Sequence, residues 1–101
     1  MFRGFFDTAA VDALAQRTCD ELRRHVPPAD LAAARPAAAT RLAEVENRMT
    51  TELQALAVQG LNVFQKARLG AQLRLLLQAA GYPTDFARAT SLRLLGSVAR
   101  R

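Results

Sequence analysis

The sequence predicts an all-α fold, one domain of about four helices packed as a small bundle. Three observations carry this. Apolar residues return every three or four positions over most of the chain, most regularly from Leu42 to Ala80, which stacks them along one face of a helix. Leu and Ala dominate the apolar residues while Ile and Trp are absent, a composition that favours helix over sheet. Helix-breaking residues stand between the periodic stretches, at Pro27-Pro28, at Gly60 and at Gly81-Tyr82-Pro83.

The first helix is expected over about residues 7–26. Asp7 is a good N-cap, and Phe6 before it can close a hydrophobic staple with Val11. Its inward face reads Val11, Leu14, Thr18, Leu22 and Val26, and Asp20 with Arg24 forms an outward pair at helical spacing. Pro27-Pro28 ends it, because a proline disfavours the helical region for the residue before it. Residues 27–36 are a Pro/Ala-rich connector in which Asp30 could cap a single turn.

The second helix, about 36–59, has Pro36 as its first residue and one buried stripe of Leu42, Val45, Met49, Leu53 and Leu56. Glu44 with Arg48, and Arg48 with Glu52, stand four apart on its solvent side. Gly60 suits the position just past a helix end, and Asn62 followed by Gln65 has the spacing of a capping box, so a new helix is expected there. The competing reading is one continuous helix, since the stripe runs in phase through Gly60 to Phe64.

The third helix, about 62–80, carries two apolar stripes. One is Leu69, Leu73, Leu76, Leu77 and Ala80; the other, on the opposite side, is Phe64, Ala67, Ala71 and Leu75. A helix apolar on two sides is normally covered on both, which makes this one central to the bundle or the surface that a second copy covers. The turn Gly81-Tyr82-Pro83-Thr84 then supplies a helix-ending glycine, a turn proline and an N-cap, and a fourth helix runs over about 84–99 with Leu92, Leu94, Leu95 and Val98 as its apolar content.

At 101 residues the chain is large enough for a core and small enough that a partner surface would add to its stability. Its net charge of +5 is unevenly spread. Residues 1–59 hold seven Arg against eight acids, whereas residues 60–101 hold six Arg and Lys66 against the single acid Asp85. A basic C-terminal half admits an acidic partner, either nucleic acid or an acidic protein face. The lone Cys19 excludes an internal disulfide and leaves the cytoplasm as the default compartment. Arg74 interrupts the longest apolar run, so no membrane span is expected. The opening Met1-Phe2-Arg3-Gly4-Phe5-Phe6 lacks the features of a signal peptide or a myristoylation site, and its aromatics are expected to fold over the end of the bundle.

No residue set announces catalysis. Cys19 has no histidine within a helical turn, and His25 sits in a last turn where Glu21 can pair with it. Glu44 and Glu46 point to different faces, no His/Cys cluster has metal-ligand spacing, and the glycines are scattered singly rather than gathered in a phosphate loop. The expected protein is therefore a non-enzyme without metal or cofactor.

The function expected is protein–protein interaction or self-association, a homodimer or a bound helix, through Phe64, Ala67, Ala71 and Leu75. The alternative is nucleic-acid binding by residues 60–101, with Lys66, Arg68, Arg74, Arg88, Arg93, Arg100 and Arg101 as the basic surface. The outline of a helix-turn-helix supports that alternative, but Arg88 and Arg93 stand about 140° apart on an ideal helix and the start of the fourth helix offers Asp85 and Phe86 instead of base-reading side chains.

Overall fold

The computed structural model describes residues 8–99, and every regular element among them is an α-helix. In chain order these are α1 (Ala9–His25), α2 (Pro28–Ala32), α3 (Pro36–Val58), α4 (Val63–Ala79) and α5 (Thr84–Ala99). The four long helices coincide with the four expected ones. The addition is α2, a single turn inside the connector, opened by Pro28 at its first position and followed by Ala34 in the left-handed region at φ 52°. Asp30 does not cap it. Its carboxylate instead lies 3.0 Å from the guanidinium of Arg41 and 3.8 Å from that of Arg35, tying the connector to α3. The expected Asp7 cap, the Phe6 staple and the aromatic tip fall outside the described residues.

Gly60 separates two helices. It takes φ 103°, which side-chain-bearing residues rarely adopt, and its N–H donates to the Ala57 carbonyl at 3.0 Å. Two residues on, the capping box forms: Gln65 N–H donates to Asn62 Oδ1 and Asn62 N–H donates to Gln65 Oε1, both at 2.9 Å. The end of α4 is a Schellman motif, with Tyr82 N–H donating to Leu77 C=O at 3.0 Å and Gly81 N–H to Gln78 C=O at 3.1 Å around Gly81 at φ 100°. Thr84 is the first helical residue rather than the expected cap, because Ala87 N–H donates to the carbonyl of Pro83, one residue earlier.

The long helices form a ring: α1 packs on α3 and α4, and α5 packs on the same two from the other side. The inward set of α1, Val11, Leu14, Thr18, Leu22 and Val26, is buried throughout. Val45, Met49 and Leu53 of α3 meet it, with Leu69, Leu73 and Leu77 of α4 and Ala87 and Leu94 of α5. Burying each large aliphatic contributes about 1.5–3 kcal/mol relative to solvent exposure. Tyr82 completes the core from the α4–α5 turn; its hydroxyl donates to the Val26 carbonyl at 2.7 Å and its ring stacks on Phe86 at 5.0 Å. The chain buries the Leu69, Leu73, Leu77 side of α4, while on the other stripe Ala71 is partly buried and Phe64, Ala67 and Leu75 are exposed.

The ion pairs correct the expected ones. Most run between elements; those along one helix are Arg24 and His25 with Glu21 in α1. Arg48 reaches Glu21 of α1 at 2.7 Å rather than Glu44 or Glu52, and Glu52 takes Arg17 of α1 at 2.6 Å. Asp20 accepts from the Gln16 amide at 3.0 Å, while Arg24 lies 3.6 Å from Glu21. Packed helices lie about 8–10 Å apart, so long side chains at the flanks reach across the seam and form charge-assisted bonds there.

Candidate helix-docking groove

α4 and α5 form an antiparallel hairpin. An added Cβ on Gly70 would stand 2.9 Å from Leu95 Cδ1, so the two helices meet ten residues before the turn and twelve after it. A right-angled crossing, as in a helix-turn-helix, would place those two positions about 23 Å apart. The hairpin geometry follows from small side chains: Gly70 on α4 and Ser91 on α5, both buried, let the axes approach.

On the outer side of this hairpin lies a groove. Ala67, Gly70, Ala71 and Arg74 form its α4 wall, and Arg88, Ser91, Leu92 and Leu95 its α5 wall. Leu75, one turn on from Ala71, stands on the α4 crest with 61% of its surface exposed, and Leu92 on the facing crest is 62% exposed. By contrast Leu69, Leu73 and Leu77, on the other side of the same helix, are fully buried. The expected interface is thus divided: Ala67 and Ala71 line the groove, while Leu75 is exposed one turn on from Ala71 without lining it and Phe64, 62% exposed, lies at the start of α4.

The basic residues expected for nucleic acid are divided as well. Arg68 forms a two-point bond with Asp12 of α1 at 2.9 and 3.1 Å, and Arg93 clasps Glu46 of α3 at 2.6 Å. The Arg68 guanidinium, bonded to the Asp12 carboxylate, holds that acid below the usual carboxylate range and is itself raised in turn. Arg74 and Arg88 have no ion-pair partner among the described residues, and both line the groove. Lys66 stands half-buried near the start of α4, and Arg100 and Arg101 fall outside the described residues.

Sequence reasoning did not find the α5 wall. Leu92 figures in the sequence only as apolar content of the fourth expected helix, and no pattern sets Ser91 apart. The structure buries Ser91 to 2% exposure and leaves its Oγ without a hydrogen-bond partner among the described residues. The signal present in the sequence is the pair Gly70 and Ser91, small residues at nearly matching distances before and after Gly81.

Other candidate chemistry lies apart from the groove. Cys19 is buried in the core, where burial, with the nearby Asp20 carboxylate, pushes the thiol up and away from the reactive thiolate. His25 Nε2 lies 3.6 Å from Glu21, the pairing expected. No group of three His, Cys, Asp or Glu side chains among the described residues could hold a metal ion, and no described helix is long and apolar enough to cross a membrane. No protein-family model, curated protein or solved structure matches the chain.

Proposed function

We propose that this chain is a non-enzymatic interaction module that docks another polypeptide helix on the outer face of α4. The observation that carries this reading is the contrast within α4: Leu73 is fully buried by the chain's own helices, and Leu75 is 61% exposed one turn on from Ala71, which with Ala67 lines the groove. Small residues in the groove admit a close helix, and the leucines on the two crests supply the apolar contact around it. Nucleic-acid binding draws on the same half of the chain, but two of its cations, Arg68 and Arg93, are engaged by acids of neighbouring helices.

Leu75→Glu tests the docking reading. Because the side chain is exposed, the variant keeps its helicity and melts within about 3 °C of the parent. It loses any concentration-dependent increase in mass seen by light scattering, and it loses binding of a leucine-striped helical peptide followed in amide spectra. Unfolding of the variant, or unchanged association, overturns the reading.

A further inference from the structure

Resting on that docking reading, we infer that the α4–α5 groove is built for an acidic amphipathic helix from a different protein, whose carboxylate lies between Arg74 and Arg88. Charge complementarity carries the inference. Five helix-borne arginines reach an acid on another helix: Arg17, Arg41, Arg48, Arg68 and Arg93. Arg35 of the connector reaches Asp30, whereas Arg23 of α1, outside the groove, has no ion pair among the described residues. Arg74 and Arg88, one on each wall of a single groove, have none among the described residues. The groove is apolar apart from them and Ser91, and no acid among the described residues lines it. Two guanidinium groups beside an apolar floor are what a helix with a leucine stripe and a flanking glutamate meets best.

The same arrangement disfavours a second copy as the occupant. A copy of this face offers Arg74 and Arg88 no carboxylate among its described lining residues and adds two more cations to the interface, which like-charge repulsion penalises. The groove also has a direction. In the antiparallel hairpin, Gly70 and Leu95 mark the end far from the turn, and Arg74 and Arg88 lie nearer to it. The occupant therefore sets its apolar stripe on Ala67, Ala71 and Leu92 and its acid toward the α4–α5 turn.

The test is a titration of the full chain, followed in amide spectra, with capped peptides of about 18 residues, long enough to hold a helix. One carries a leucine stripe with flanking glutamates; the others replace those glutamates by glutamine or by lysine. The acidic peptide moves the amides of Ala67, Ala71, Ser91 and Leu92 and binds about tenfold more tightly than the glutamine peptide, as charge-assisted bonds require. Arg74→Glu combined with Arg88→Glu, both exposed positions, reverses the order so that the lysine peptide binds best.

Equal binding of the acidic and glutamine peptides at the groove overturns the acidic specificity and leaves docking standing. Groove amides unmoved by any peptide at millimolar concentration overturn both. A chain that doubles its mass through this face, with the doubling lost in Leu75→Glu, overturns the foreign partner in favour of a second copy. A short DNA duplex that moves the same amides more strongly than the acidic peptide overturns it in favour of nucleic acid.

Discussion

Three seams of the ring are closed on their solvent side by arginine–carboxylate pairs, and the fourth is not. Arg17 with Glu52 and Arg48 with Glu21 close α1 on α3, Asp12 with Arg68 closes α1 on α4, and Glu46 with Arg93 closes α3 on α5. The α4–α5 seam has no such pair among the described residues, although Arg74 and Arg88 stand on its two walls. The difference lies in how the helices are brought together. α4 and α5 are joined by a short turn and approach closely over Gly70 and Ser91, so connectivity and small residues hold them without ions. Helices α1 and α4 are distant in sequence, and a charged flank sets their mutual register. Arginines that such a seam does not need are left facing outward, beside apolar surface that the chain does not cover.

The largest effect that could break this comparison lies within α4. Leu73→Ala should cost about 2–5 kcal/mol, because the side chain is fully enclosed and its removal leaves a cavity. Leu75→Ala, two residues away on the groove side, should change stability by less than about 0.5 kcal/mol. Chemical denaturation of both variants measures the difference. Similar losses at the two positions would mean that both sides of α4 are covered.

Next comes the buried polar link between the hairpin and α1. Tyr82→Phe leaves the Val26 carbonyl without its donor and should cost about 1–2 kcal/mol. Burial, the largest cause, raises the Tyr82 hydroxyl from 10.0 to about 12. A raised folded value means that the contribution is fully present below pH 10.0 and is lost as pH rises toward about 12. Melting temperature should fall across that window in the parent and less steeply in Tyr82→Phe.

At the opposite end of the pH scale the α1–α4 seam titrates. Asp12 is held low chiefly by its hydrogen bond from Arg68, so its contribution is present above the unfolded value of 3.8 and disappears as pH falls through the lower folded one. Acid unfolding of Asp12→Asn should begin from a less stable protein and show a shallower dependence on pH below 3.8. A parallel acid limb in both proteins would remove the seam from the account.

Most of the fold was legible because it rests on local rules. Period, proline and glycine placement, and the Asn62 to Gln65 capping box fix where the four long helices begin and end, and each rule acts within a few residues. The groove was half legible. Ala67, Ala71 and Leu75 share a face whatever the tertiary structure, so helical phase alone selects them. Charge alone does not distinguish Arg74 and Arg88 from Arg68 and Arg93, and only packing separates them, since an arginine's partner lies on whichever helix is adjacent. The intrahelical pairs expected for Arg48 failed for the same reason: Glu21, 27 residues earlier in the chain, is nearer in space than sequence spacing suggests. Local sequence makes Tyr82 part of a turn, and its place in the core depends on Val26 lying beneath that turn.

The smallest effect is the sharpest test of the contrast between seams. Replacing Arg93 by glutamine removes a close pair with Glu46 that bridges α3 and α5, and a double-mutant cycle with Glu46→Gln should return a coupling of about 0.2–1 kcal/mol that shrinks in high salt. Replacing Arg74 and Arg88 together should change stability by less than about 0.5 kcal/mol at any salt concentration, since neither guanidinium meets an acid within the described chain. A slight gain is the more informative result, because removing two unmatched positive charges relieves repulsion in a chain of net charge +5. Such a gain in the isolated protein, set against weaker binding of an acidic helix, is the signature of residues placed for a partner instead of for the fold. If the double replacement destabilises the chain as much as Arg93→Gln does, the two arginines serve the bundle and the fourth seam is closed after all.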